Sequence, residues 1–298
     1  MVLSKQELID EFLTFKDVTD DNDIKVRIKR LKFYLDNYDC DSEIANILRY
    51  IEVRRTAYET NDFEKCAAIA LPVFDLLNEP QCNNLSFVEV IVLAGLLSYA
   101  TTFDVVKNCE QTVSNLMETK FKHDQRYRTV RFMLSTAIVS RMVKAKYFSA
   151  NGKETEASRE EIFELFKKHS AFCDDIFIKN KVPRLEACYR IKEGMFHKNA
   201  QLVEDNLLWL RKHEIKKWYF TMSEEFVQYA HVMEGELTQT LLNIVVGYYI
   251  NKIRGERGLK QYEVADEISI APETLNKIES GRRTAAAYIC TNYHTYLA

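Results

Sequence analysis

Glycine and proline are scarce. The 298-residue chain holds eight glycines and four prolines, about 4% together against about 12% in ordinary usage. Sandwiches and barrels turn often and draw heavily on both residues. Their scarcity excludes such folds and predicts an all-α chain of long helices joined by short polar links. Long apolar runs are also missing. The most apolar stretch, Phe87 to Ala100, carries Glu89 and is too short to cross a bilayer, which takes about 20 residues. It is expected to be a buried helix, and no membrane partner is expected. The seven cysteines, at 40, 66, 82, 109, 173, 188 and 290, form no CxxC pair. An odd, scattered set predicts reduced and mostly buried thiols rather than a disulfide framework.

Catalytic signatures are absent too. The six histidines (123, 169, 197, 213, 231 and 294) have no metal-ligand spacing with one another or with the cysteines. No phosphate loop, GxGxxG or GxSxG occurs. Acidic pairs such as Glu160-Glu161, Asp174-Asp175 and Glu224-Glu225 read as solvated helix faces. The chain is therefore expected to be no enzyme and to hold no metal and no cofactor. Residues 1–10 lack a basic region followed by an apolar core, so no signal peptide is expected, and the protein is expected to be cytoplasmic. The formal net charge of −3 excludes a polycation. Any contact with nucleic acid must come from a local patch.

What is present is helical periodicity. Ser4 followed by Glu7 is a capping-box signature, and Leu8, Phe12, Leu13 and Phe15 continue it as an apolar face. A second helix carries Ile24, Ile28, Leu31 and Leu35, and a third runs from about Ser42 to Tyr58. Polar links recur at Thr60-Asn61-Asp62, Thr101-Thr102, Asn151-Gly152 and His197-Lys198-Asn199. Their spacing of roughly 40 to 50 residues suits a repeating pair of antiparallel helices. The clearest unit, Ile51 to Pro80, resembles a degenerate tetratricopeptide repeat, and a bundle of helical hairpins would give a similar pattern. Stacked helix pairs expose a surface suited to peptides or proteins.

The last 50 residues change character. A helix from about Leu241 to Arg257 stops at Gly258, and Gln261 to Ile268 forms a second, short helix. After a three-residue turn, Pro272 opens a third helix. Leu275 and Ile278 point it inward, Glu273, Asn276 and Lys277 point outward, and Gly281 closes it. Two short helices, a tight turn and a polar outer face describe a helix-turn-helix.

Here the residues resemble the Xre/Cro/phage-repressor DNA-binding family. The resemblance is carried by Ile253-Arg254, Glu256-Arg257-Gly258-Leu259, Gln261, Glu263, Val264-Ala265, Ile270, Pro272, Thr274-Leu275, Lys277-Ile278-Glu279 and Gly281-Arg282-Arg283. It implies a lambda-repressor-like domain over 244–298, after a tetratricopeptide-like body over 1–243 for sensing and dimerisation. It implies double-stranded DNA as partner, with the third helix in the major groove. By the same resemblance Gln261 would bond a phosphate. Glu273, Asn276 and Lys277 would meet base edges, with Thr274 nearer the backbone, and Ser280, Arg282 and Arg283 would clamp phosphates. Arg254 and Glu279 would pair with each other as a structural ion pair, while Lys252 and Arg257 read as solvated. Ile289, Cys290, Tyr293 and Leu297 would complete the core.

Two positions depart from that pattern. Ser269 stands where the family usually has glycine, and Ala271 replaces the usual Ser/Thr N-cap. Residues 250–283 hold seven Lys/Arg and six Asp/Glu, a local charge of only +1, so a homodimer on an inverted-repeat operator is expected. A helical-repeat body with an Xre-type domain resembles the Rgg/PlcR/PrgX group of peptide-responsive regulators, with the domain order reversed. That likeness implies a short peptide or protein ligand on the body. The alternative is a helical scaffold whose Xre-like domain serves docking or dimerisation. The apolar stretch Leu237 to Tyr249 is the expected junction between body and DNA-binding domain.

Overall fold

The computed structural model describes residues 3–14, 21–38, 41–60, 62–78, 82–147, 159–213, 215–233 and 235–285. They form fourteen α-helices and no strand, so the all-α reading holds. Phe15, the link at 151–152 and the core residues expected at 289, 290, 293 and 297 lie outside the described residues. Among the described residues no helix is long and apolar enough to cross a membrane. The chain divides into two compact units, 1–178 and 179–298.

The first unit contains α1 (Lys5–Leu13), α2 (Asp21–Asn37), α3 (Ser42–Thr60), α4 (Phe63–Ala70), α5 (Phe87–Leu96), α6 (Phe103–Thr119), α7 (Tyr127–Tyr147) and most of α8 (Arg159–Asn180). Local chemistry sets their ends. Ser4 with Glu7 and Ser86 with Glu89 each close a reciprocal capping box, satisfying backbone N–H groups that a helix start leaves unpaired. Asp62 and Thr102 cap α4 and α6 through side-chain oxygens, so two of the polar links are helix starts. Packing follows the order of the chain: α3 lies against α2, α4 and α5, α5 against α6 and α7, and α6 against α7. Each hairpin thus buries its apolar face on the next, as stacked helical repeats do. The run from Phe87 is buried as expected, with Val90, Val92, Leu93, Ala94 and Leu96 inaccessible to solvent. The described cysteines are free thiols, and Cys66, Cys109, Cys173 and Cys188 are buried. Burial pushes the Cys188 thiol up to about 11, which leaves it protonated and inert.

The second unit contains α9 (Pro183–His197), α10 (Ala200–Lys212), α11 (Lys216–Tyr229), α12 (Gln239–Glu256), α13 (Gln261–Glu267) and α14 (Pro272–Glu279). Asn199 caps α10 and Thr238 caps α12. The hairpin pattern continues, α9 packing on α10 and α11, and α11 on α10 and α12. The expected junction, 237–249, is largely α12 itself, which runs unbroken into the helix-turn-helix segment with Leu241, Ile244, Gly247 and Ile250 buried.

Candidate nucleic-acid interface

Three helices of the second unit enclose a small apolar core. Ile250 comes from α12, Val264 and Ala265 from α13, Ile268 from the turn, and Leu275 and Ile278 from α14. Val246, Leu259, Ile270 and Ala285 pack at its edge. These short helices depend on that core, because seven or eight residues cannot hold a helix alone in water.

The turn between α13 and α14 departs from ideal chemistry at two positions. Ser269 has φ 56°, a left-handed conformation that costs a residue with a Cβ about 1 kcal/mol. Ala271 has N-cap backbone angles (φ −68°, ψ 140°) but makes no side-chain cap bond. Pro272 then fills the first helical position, where its missing N–H costs nothing.

α14 has two opposed faces. Leu275, Ile278 and Glu279 are buried, whereas Glu273, Asn276 and Lys277 are exposed. The exposed three are spaced three and four apart, so they share one side of the helix. Thr274 is half-buried, and its Oγ1 accepts a hydrogen bond from Arg283 Nη1 at 3.4 Å. Ser280 Oγ donates to the carbonyls of Asn276 (2.8 Å) and Lys277 (3.2 Å), which turns the hydroxyl back onto the helix end. Arg282 and Arg283 follow, both exposed.

Beneath α14 lies a charged network. Arg254 grips Glu279 through two bonds, Nε to Oε1 at 2.7 Å and Nη2 to Oε2 at 3.0 Å. Arg254 Nη1 also donates to the Leu259 carbonyl at 2.9 Å. Gln261 Nε2 donates to Glu279 Oε2 at 2.8 Å. Glu279 is 6% exposed, and these bonds offset the cost of burying its charge. The structure thus brings together Arg254, Gln261 and Glu279 on one side of α14, and Glu273, Asn276 and Lys277 on the other. The side-chain amide of Gln261 faces Glu279.

Three features hold α14 against the rest of the unit. Tyr219 Oη on α11 donates to the Ser280 carbonyl at 2.9 Å. Gly247 on α12 lets the end of α14 approach, since a Cβ there would collide with the Ile278 carbonyl oxygen. Gly281, at φ 68°, sits where a Cβ would come within 2.8 Å of Ile244 Cγ1. Tyr219 gives no local signal in the sequence. A glycine inside an apolar helical run, as at 247, does give one, because such a glycine usually marks close packing.

The first unit holds a buried polar string of another kind. His169 Nδ1 on α8 shares a hydrogen bond with Ser135 Oγ on α7 at 3.0 Å. His169 Nε2 lies 3.3 Å from Glu110 Oε1 on α6. Serine, histidine and carboxylate in sequence suggest nucleophile activation, yet these residues are 0%, 1% and 5% exposed. No substrate atom can reach the serine, and the string joins three helices. Among the described residues no three His, Cys, Asp or Glu side chains could hold a metal ion. Glu224, read from sequence as solvated, accepts a hydrogen bond from Tyr248 Oη at 2.9 Å.

No curated protein and no solved structure matches the chain. Residues 250–289 match the helix-turn-helix family, spanning α13, α14 and the end of α12. That family binds DNA and is not enzymatic, so the chain carries a C-terminal, Xre-like helix-turn-helix domain.

Proposed function

We propose that the protein is a sequence-specific transcriptional regulator that binds double-stranded DNA as a homodimer on an inverted-repeat operator. The observation that carries this reading is the division of α14: an exposed Glu273, Asn276 and Lys277 face, backed by a buried face fixed through Glu279. Lysine can donate to guanine O6 and N7, asparagine can pair with adenine, and glutamate can accept from cytosine N4. Arg282, Arg283 and Thr274 flank that face and suit phosphate contacts, while Ser280 and Gln261, whose side chains donate within the domain, would turn outward to meet phosphates. Residues 244–298 act as the DNA-binding part and 1–243 as the sensing and dimerisation part. A peptide or protein bound on the helical body regulates the dimer by favouring one of its arrangements, which requires tighter binding to that arrangement.

The local charge of +1 over residues 250–283 supports pairing of two domains, because counterion release scales with the number of phosphates met. The same charge favours a second reading, in which the domain docks a protein and reads no DNA. Selection of a random duplex library on the full-length protein separates the two. Enrichment of an inverted repeat supports the regulator, and a folded protein that enriches no sequence supports the docking reading.

A further inference from the structure

One end of the second unit gathers positive charge from the end of α8 and from α9, α10 and α11. Residues 179–184, which lead into α9, and residues 211–217, which join α10 to α11, hold seven Lys/Arg against the single acid Glu214. Arg184 of the first segment and Arg211 of the second both lie against rings of α11. The Arg184 guanidinium lies over the Trp218 ring at 5.3 Å, linking the starts of α9 and α11. The Arg211 guanidinium lies 6.0 Å from the centre of the Tyr219 ring. His213 stacks on Trp209 at 4.1 Å, and Lys181 and Lys212 are exposed. Basic residues interleaved with aromatic rings form a surface that attracts polyanions.

Helix dipoles account for part of this cluster only. Arg211 and Lys212 end α10, where cations are favoured. Lys216 and Lys217 open α11, where the dipole disfavours cations, and no acid stands in that first turn. The helix dipole gives no reason for that placement, whereas an external anion does. The position is also significant. Tyr219 lies one turn into α11 and donates to the Ser280 carbonyl, two residues before Arg282-Arg283. The corner is thereby tied to the end of the recognition helix.

We propose that this corner is a second DNA-backbone contact, holding phosphates of the same duplex beyond the stretch met by α14. The inference rests on the DNA-binding reading and deepens it. It supplies the positive charge that the near-neutral helix-turn-helix lacks, and it carries no base preference of its own.

The test uses the full-length protein with two labelled duplexes, one from the selected pool and one of random sequence, each titrated against salt. The variants are Lys212→Gln/Lys216→Gln/Lys217→Gln and Lys181→Gln/Lys212→Gln. Both should bind both duplexes more weakly, the triple variant by on the order of 100-fold at low salt, with the salt slope reduced by about one per lysine. The preference for the selected duplex should persist, and the thermal midpoint should stay level or rise. The second variant leaves α11 intact, so it reads the same effect without touching that helix start. Unchanged affinity and slope in both folded variants would overturn the proposal. Failure of the wild-type protein to bind either duplex would overturn the DNA reading itself, and with it this one, before any variant is made.

Discussion

Each unit of this chain buries a glutamate, and the two are held by different chemistry. Glu279 on α14 is gripped by a guanidinium and an amide, neither of which titrates in the physiological range. Glu110 on α6 accepts from Lys168 Nζ at 2.6 Å and Ser114 Oγ at 3.1 Å, and faces His169. Burial alone would raise the Glu110 carboxyl, but bonds to His169 and Lys168 outweigh it and hold it down at about 2. Burial pushes His169 below its ordinary value, an effect that Glu110 partly offsets and that Lys168 and Arg131 reinforce. The bridge beneath α14 thus has a permanent cation, whereas the bridge in the first unit includes a histidine that burial holds below its ordinary value. The first arrangement fixes the buried face of α14. The second makes the body sensitive to acid.

Removing one partner tests the contrast most severely. Glu279→Ala should strand the Arg254 charge, costing about 3–5 kcal/mol, measured by urea unfolding of the full-length protein. Glu279→Gln should cost less, because its amide oxygen still accepts from Arg254. Equal losses in the two variants would show that packing, and not the ion pair, supports α14.

Acid should act on the other bridge. His169 is depressed when folded, so the unfolded chain takes up its proton first, and stability should begin to fall as pH drops below about 6.5. The Glu110 contribution is complete above its unfolded value of about 4.5 and is lost as pH falls through about 2. It amounts to on the order of 3 kcal/mol. Urea midpoints followed from neutral to acid pH should decline along these limbs, and Glu110→Gln should flatten the lower one. An unaltered acid limb in that variant would remove Glu110 from the account.

The smallest effects lie in the turn. Ser269→Gly should relieve the left-handed strain, offset in part by entropy, and stabilise by about 0.5–1 kcal/mol. Ala271→Ser should gain about 1 kcal/mol by capping α14. Thermal midpoints read both. A loss in either variant would mean that the turn is held by something other than its backbone.

The two bridges also differ in how far the sequence revealed them. Arg254 and Glu279 lie in a dense motif, and their pairing was implied by the resemblance of that motif to a known family. Ser135 and His169 are 34 residues apart and meet only because three long helices stack. No local pattern in α6, α7 or α8 marks such a meeting. The same limit applies to the basic corner, whose segments at 179–184 and 211–217 come together through the antiparallel run of α9 and α10. The start of α1 was legible from its capping box at Ser4, whereas Asp62 and Thr102 read only as polar links and the capping box at Ser86 went unread. Contacts between backbones, such as Gly247 against α14, left only the glycine as a trace.

The central claim is that the outer face of α14 reads bases. It is tested most directly by titrating Asn276→Ala/Lys277→Ala against a selected duplex and a scrambled one of equal length. The account predicts that the preference between them disappears while weak, salt-dependent binding to both remains. A folded double variant that keeps the wild-type preference would contradict it.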